Sequence, residues 1–220
     1  MMIKNPYKGK FICVEGIDGS GKSKQFEMLH DELVAKHDIN VVFTKEPTGD
    51  SIGRTIYAIL ERRHKKMKLE DMTELDMQRL YFQNRRSHYQ DLVLPSLRGG
   101  VNVISDRGVA SVAYGLKNVN DLDRFLSVES AMFDAKSVSF IVPDLILIYD
   151  VSVDIAFERL DKKGNERDLF EQREKLKQTR SNYLAIAKVI PNCVVVDGTA
   201  SAEEVFKVTR EKVFSLLGIS

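Results

Sequence analysis

Residues 16–23 read Gly16-Ile17-Asp18-Gly19-Ser20-Gly21-Lys22-Ser23 and follow directly on the apolar run Phe11-Ile12-Cys13-Val14. They fit G-x-x-x-x-G-K-[ST], a loop that cradles phosphate groups between a buried strand and a helix. Gly16, Gly19 and Gly21 let the backbone turn tightly, so that N–H groups, including that of Ser20, point inward as an anion nest. Lys22 places a cation on the β- and γ-phosphates of a nucleotide such as ATP, and the Ser23 hydroxyl is a ligand for Mg²⁺. A helix starting near Lys22 adds its positive dipole end. A glycine-rich turn matching by chance is the competing reading. The strand before the loop and the helical pattern Phe26, Leu29, Leu33 after it tell against that.

Five short apolar runs punctuate the chain: Phe11–Glu15, Val41–Thr44, Val101–Ser105, Leu145–Tyr149 and Val194–Val196. They are near-continuous rather than alternating, as parallel strands covered on both faces require. Helical patterns fill the gaps over Lys22–Lys36, Glu70–Leu97, Asp121–Ser137, Val153–Lys162 and Phe170–Val189, and a last helix follows the capping box Ser201/Glu204. This alternation predicts an α/β fold, a doubly wound five-stranded parallel sheet with helices on both faces. Its 220 residues suit one domain with a small lid at about residues 159–171, and no linker or repeat divides them.

Ligands bind at the carboxyl ends of such strands. After the third strand stands Ser105-Asp106-Arg107. Asp106 is placed to organise the metal, and Arg107 to bind a phosphate bidentately, although a surface ion pair at a strand end also explains the two. After the second strand, Lys45-Glu46-Pro47-Thr48-Gly49 forms a turn. Tyr81 and Arg85 are four apart and share a helix face. An aromatic and a guanidinium there can hold a flat base, but from spacing alone a core tyrosine and an arginine in a surface ion pair are the better explanation. Arg159, Lys162, Lys163 and Arg167 surround Gly164-Asn165, a basic stretch broken like a mobile loop. The four histidines are scattered and receive no role.

Composition adds exclusions. Thirty-three Lys and Arg balance 32 Asp and Glu, a net charge of +1, so there is no bulk attraction to nucleic acid or to an anionic membrane. Cys13 and Cys193 lie in apolar runs and read as buried reduced thiols. The first residues lack the apolar stretch of a signal peptide, and no run is long enough to span a bilayer, which makes a cytoplasmic enzyme the expectation.

Taken in order, these segments resemble the thymidylate kinase family over nearly the whole chain. Residues Phe11 to Ser23 are similar to the family's opening strand and loop, and Thr44-Lys45-Glu46-Pro47 to its T-R-E-P turn. Val103-Ile104-Ser105-Asp106-Arg107 with Ser111, Ala113 and Tyr114 is similar to its D-R-Y-x-x-S…A-Y segment. Arg167–Glu171 and Arg180–Leu184 resemble the lid and the helix after it. The resemblance implies that Asp18 binds the sugar 3′-hydroxyl, Tyr81 stacks on thymine and Arg85 hydrogen-bonds its carbonyl edge. It further implies that Arg107 binds the dTMP phosphate, with Glu46, Pro47 and Ser111 lining that site, and that Tyr114 crowds the 2′ position. Lys22, Asp106, Arg107, Arg159 and Arg167 would serve phosphoryl transfer, and Ser23 and Asp106 would hold Mg²⁺. A homodimer packed through long helices is also implied.

Several positions depart from the family pattern. Gly108 replaces the third residue of the D-R-Y motif, the Ser111-to-Tyr114 spacing is one residue short, and Gly115 stands where Gln often follows the tyrosine. Lys45 replaces the T-R-E-P arginine, and the arginine of the next helix falls at Tyr57, with Arg54 nearby. Gly19 sits where one kind of family member carries a basic residue, so the chain resembles the kind that relies on lid arginines. The expected activity is phosphoryl transfer from MgATP to dTMP, giving dTDP. Its rivals are a kinase of another nucleoside monophosphate, such as dUMP, and a regulatory nucleotide-binding protein without catalysis.

Overall fold

The computed structural model describes residues 2–161 and 169–219, with backbone alone for 161 and 169–172. Five strands, β1 (Phe11–Gly16), β2 (Val41–Lys45), β3 (Asn102–Asp106), β4 (Leu145–Asp150) and β5 (Cys193–Asp197), form one parallel sheet in the order β2-β3-β1-β4-β5. The central β1 is buried along its whole length, as its unbroken apolar sequence demands. Its side chains divide between two cores. Phe11 and Cys13 face a layer with Tyr89, Phe133 and Ile186, whereas Ile12 and Val14 face Leu29, Leu33, Val205 and Phe214. That division is the pleat of one strand serving helices on both faces of the sheet.

The helices are α1 (Lys22–His30), α2 (Ser51–Leu60), α3 (Glu74–His88), α4 (Leu94–Arg98), α5 (Leu122–Asp134), α6 (Val153–Asp161), α7 (Leu169–Ile186) and α8 (Ala202–Leu217). α1 continues through a wider π-helical turn, Asp31–Lys36, to the expected end. The long helix expected from residue 70 begins instead at Glu74. Thr73 caps it, accepting from the Asp76 backbone N–H while Asp76 reaches back, and Leu69–Asp71 is a separate 3₁₀ turn. It reaches α4 through a π-helical turn, Tyr89–Val93. Pro95 lies at this junction and has no N–H to return to a carbonyl of the preceding turn.

Two features were not read from the hydrophobic pattern. α2, which only the family resemblance implied, follows the Lys45–Gly49 turn, with Asp50 as its N-cap accepting from Gly53 N. Outside the main sheet, Ile3–Lys4 pairs in parallel with Ile141–Val142. Cys13 is buried as expected, but Cys193, on an edge strand, is only half-buried; both are free thiols. Among the described residues, no helix is long and apolar enough to cross a membrane.

Candidate active site

The loop expected to cradle phosphate joins β1 to α1 at the carboxyl edge of the sheet. Gly16, Gly19 and Gly21 all have positive φ, at 144°, 83° and 91°. Space adds to conformation at Gly19, where a β-carbon would lie 2.4 Å from the Ala156 carbonyl oxygen of α6. A longer residue at that position would have to displace α6, which is a physical reason for glycine here in place of a basic side chain. Arg159, also on α6, donates to the Gly198 carbonyl at 2.9 Å and makes longer contacts, 3.5 and 3.4 Å, with the carbonyls of Gly19 and Ser20. It therefore ties the loop to the start of the β5–α8 connection. Between them lies a cavity of about 310 Å³ lined by Ser20, Gly21, Lys24, Arg159, Gly198 and Ala202.

Lys22 is buried at the start of α1 with its Nζ 2.9 Å from Asp106 Oδ1, at the end of β3. Ser23 is exposed one residue later. One carboxylate and one hydroxyl are hard oxygen donors of the sparse kind Mg²⁺ uses when phosphate and water complete its shell. Among the described residues, no group of three or more His, Cys, Asp or Glu forms a metal cage.

The next residue, Arg107, adopts φ 75° and donates its backbone N–H to Val14 O at 2.9 Å. Its guanidinium donates from Nη2 to Asp18 Oδ1 at 2.8 Å and lies 4.7 Å from the centre of the Tyr114 ring. The Tyr114 hydroxyl sits 3.2 Å from the same nitrogen. Asp18, inside the phosphate loop, and Arg107, after the neighbouring strand β3, thus form one cluster. Tyr81 is half-buried within electrostatic reach of Arg107 and Asp18, and burial raises its phenol to about 12.

Arg85 departs from the expectation of a base-facing donor. It is 2% exposed, and its guanidinium donates to Glu46 Oε2 at 2.7 Å, Glu129 Oε1 at 2.5 Å and the Gly108 carbonyl at 2.7 Å. All three of its nitrogens are engaged by protein. Glu46 also meets His88 Nδ1 at 3.0 Å, and His88 Nε2 lies 2.9 Å from Thr44 Oγ1. Burial pushes the Glu46 carboxyl upward, but Arg85 and His88 outweigh it and hold the group below its ordinary value. Glu129 has the weaker compensation, and desolvation raises it to about 7 despite Arg85. The network fixes Glu46 next to the cis Glu46–Pro47 bond, and the Tyr57 hydroxyl reaches Pro47 O at 3.4 Å.

A third buried carboxylate, Glu15, stands near the end of β1. Its Oε1 accepts from Gly108 N at 2.8 Å, and its Oε2 accepts from Ser111 Oγ at 2.6 Å and Tyr183 OH at 2.9 Å. Burial raises its pKa, and the Ser111 hydrogen bond works against that. Beside Tyr183 on α7, Asn182 donates to the carbonyls of Ala113 and Leu116, and Arg180, a turn earlier, makes a bidentate pair with Asp150. The segment that carries Ser111 and Tyr114 is therefore held from both β1 and α7.

The structure thus brings together Lys22, Asp106, Asp18, Arg107, Ser111 and Tyr114. It sets Glu46, Pro47 and Arg85 beneath them as support. Arg167, Lys162, Lys163 and most of the expected lid lie outside the described residues. Sequence reasoning missed Glu15, His88, Glu129 and Tyr183. Of these, only Glu15 carried a local signal, as a carboxylate ending an otherwise apolar strand.

A phosphate loop between β1 and α1, with its lysine paired to a carboxylate at the end of β3, is the arrangement of a P-loop nucleotide-binding fold. A sequence model of the family described as thymidylate kinase matches residues 14–208. The chain is 37% identical over 215 residues to the thymidylate kinase of Cupriavidus metallidurans, covering 96% of this chain and 100% of that one. It is 33% identical to the probable thymidylate kinase of Methanococcoides burtonii, over 96% of this chain and 98% of the other. With the thymidylate kinase of Thermosipho africanus it shares 32% identity, over 89% and 93%. The chain belongs to the thymidylate kinase family.

Proposed function

We propose that this enzyme transfers the γ-phosphoryl group of ATP to the 5′-phosphate of dTMP, giving dTDP and ADP. The observation that carries the reading is the 2.8 Å pair between Asp18, inside the phosphate loop, and Arg107, beside the loop lysine's partner Asp106. The acceptor clamp is hydrogen-bonded to the donor cradle, so two polyanions bound there would meet end to end. Holding them in line and neutralising the charge that develops between them is most of what such a transfer requires.

In this reading Lys22 and the N–H groups of the loop bind the β- and γ-phosphates, and Arg159 supports the loop from outside. Arg107 grips the acceptor phosphate, Asp18 the sugar hydroxyl, and Tyr81 supplies a stacking face for the base. Tyr114, packed on Arg107, crowds the sugar. The acceptor phosphate is ionised at neutral pH, so no strong general base is demanded. Ser23 and Asp106 fit Mg²⁺, which when bound adds positive charge against the phosphates. Arg167 is assigned to the lid, where it would screen the transferring group from water. Arg85 becomes a positioning residue beneath the acceptor site. A cytoplasmic homodimer completes the proposal.

The test is ADP release with MgATP across a panel of nucleoside monophosphates. Preference for dTMP is expected. Equal turnover of dUMP or a purine monophosphate would overturn the substrate, and ATP binding without monophosphate-dependent ADP release would overturn the reaction.

A further inference from the structure

The helix face that carries Tyr81 and Arg85 also carries a polar side chain that no role above uses. Gln78 lies on α3 one turn before Tyr81 and two before Arg85, so the three share a face of the helix. It is 5% exposed, and among the described residues its amide has no hydrogen-bond partner. A primary amide offers two donors and an acceptor, and the protein leaves that capacity unspent here.

Its position is fixed by Gly115. A β-carbon at that residue would stand 2.4 Å from Gln78 Cγ and 2.6 Å from Nε2. The amide therefore occupies the space a side chain at position 115 would take, directly after Tyr114, whose ring carries Arg107. Tyr81, the proposed stacking face, follows it on the helix. Arg85 has every nitrogen engaged by Glu46, Glu129 and Gly108. Among the described residues, Gln78 and the Tyr81 hydroxyl are the groups on this face that no protein partner engages, and of the two only the amide presents a donor and an acceptor on adjacent atoms.

We propose that Gln78 reads the imide edge of the pyrimidine, its carbonyl accepting from N3–H and its NH₂ donating to an adjacent ring carbonyl. An amide is complementary to that donor–acceptor pair, as it is to an adenine edge. The inference rests on the dTMP reading above. It makes Gln78 a specificity-determining residue and gives Gly115 a reason, namely room for an amide delivered from α3.

The experiment compares wild type with Gln78→Met, which keeps the side chain's length without its polar atoms, on dTMP and on its N3-methyl analogue at saturating ATP. Wild type is expected to lose roughly 10- to 100-fold in kcat/KM on N3-methylation. Gln78→Met should lose a similar factor on dTMP itself and almost nothing further on methylation, with the KM for ATP and the melting temperature unchanged. An equal methylation penalty in both proteins, or dTMP turnover by the variant within about twofold of wild type, would overturn the inference. Should Gln78→Met fail to fold, Gln78→Asn, which withdraws the amide by one methylene, provides the same comparison. Wild type inactive on dTMP would remove the substrate reading and this inference with it. An active wild type with an indifferent variant would remove the inference alone.

Discussion

Arg107 Nη2 lies 2.8 Å from Asp18 Oδ1, although the two are 89 residues apart in sequence. Asp18 belongs to the phosphate loop and Arg107 follows β3, where its φ of 75° accompanies a side chain that reaches back to that loop. The guanidinium also lies against Tyr114, so its planar fork is oriented before substrate arrives. Arg107→Ala is therefore expected to lower kcat/KM for dTMP on the order of 10²- to 10³-fold while leaving the KM for ATP within a few-fold. Arg107→Lys should recover little, because a point charge replaces a fork. Steady-state kinetics with each substrate varied in turn checks both, and full recovery by lysine would count against bidentate binding.

Lys22 and Asp106 form the other half of the site, 2.9 Å apart at the ends of α1 and β3. Lys22→Ala removes the cation nearest the transferring group, and a loss on the order of 10³-fold in kcat is expected. Single-turnover measurement at saturating nucleotides isolates that step. Near wild-type turnover would remove Lys22 from the chemistry.

What the sequence revealed of all this follows the range of the forces involved. β1 and the loop after it were legible because apolar runs and glycines act locally, through burial and backbone conformation. α2 was passed over because Pro47 and Gly49 dominate its approach, although Asp50 caps it and Ile52, Ile56 and Ile59 recur at helical spacing. The spacing of Tyr81 and Arg85 was readable, but not that Arg85 is claimed by Glu46 and Glu129, 39 and 44 residues away. Glu15 likewise takes its meaning from Ser111 and Tyr183, at separations of 96 and 168. His88, one of four scattered histidines, bridges Thr44 and Glu46 only once the fold has formed. Networks of buried polar groups are written in tertiary structure, and no window of sequence contains them.

One such network gives stability a pH dependence. Burial raises Glu129 to about 7, with Arg85 opposing and Glu46 adding repulsion. A carboxyl raised in the folded state binds protons more tightly there than in the unfolded chain. Stability from this group therefore falls as pH rises from the ordinary carboxylate range to about 7, by on the order of 3 kcal/mol. Glu15, also raised by burial, has the same sign. Glu46, held below its ordinary value, has the opposite sign, and its contribution is lost only as pH falls through that lower value. Glu129→Gln should therefore flatten the decline in denaturation midpoint between pH 5 and about 7, leaving the part owed to Glu15. An unchanged slope would show that Glu129 does not titrate there.

Gly108 presents the most local constraint. Its backbone is extended and open to any residue, so space rather than conformation selects glycine. A β-carbon would stand 2.6 Å from Cys13 Sγ, on a strand with no room to retreat. The same residue donates to Glu15 and accepts from Arg85, so it cannot step aside without loosening both networks. Gly108→Ala is expected to cost about 1–3 kcal/mol by overpacking. It should also lower kcat/KM for dTMP by shifting Arg107. Cys13→Ala removes the obstructing sulfur, and the double variant should be more stable than the sum of the two changes predicts, with a coupling of about 0.5–3 kcal/mol. Chemical denaturation of the four proteins measures that term. Strict additivity would mean that the sulfur is not what excludes a side chain at position 108.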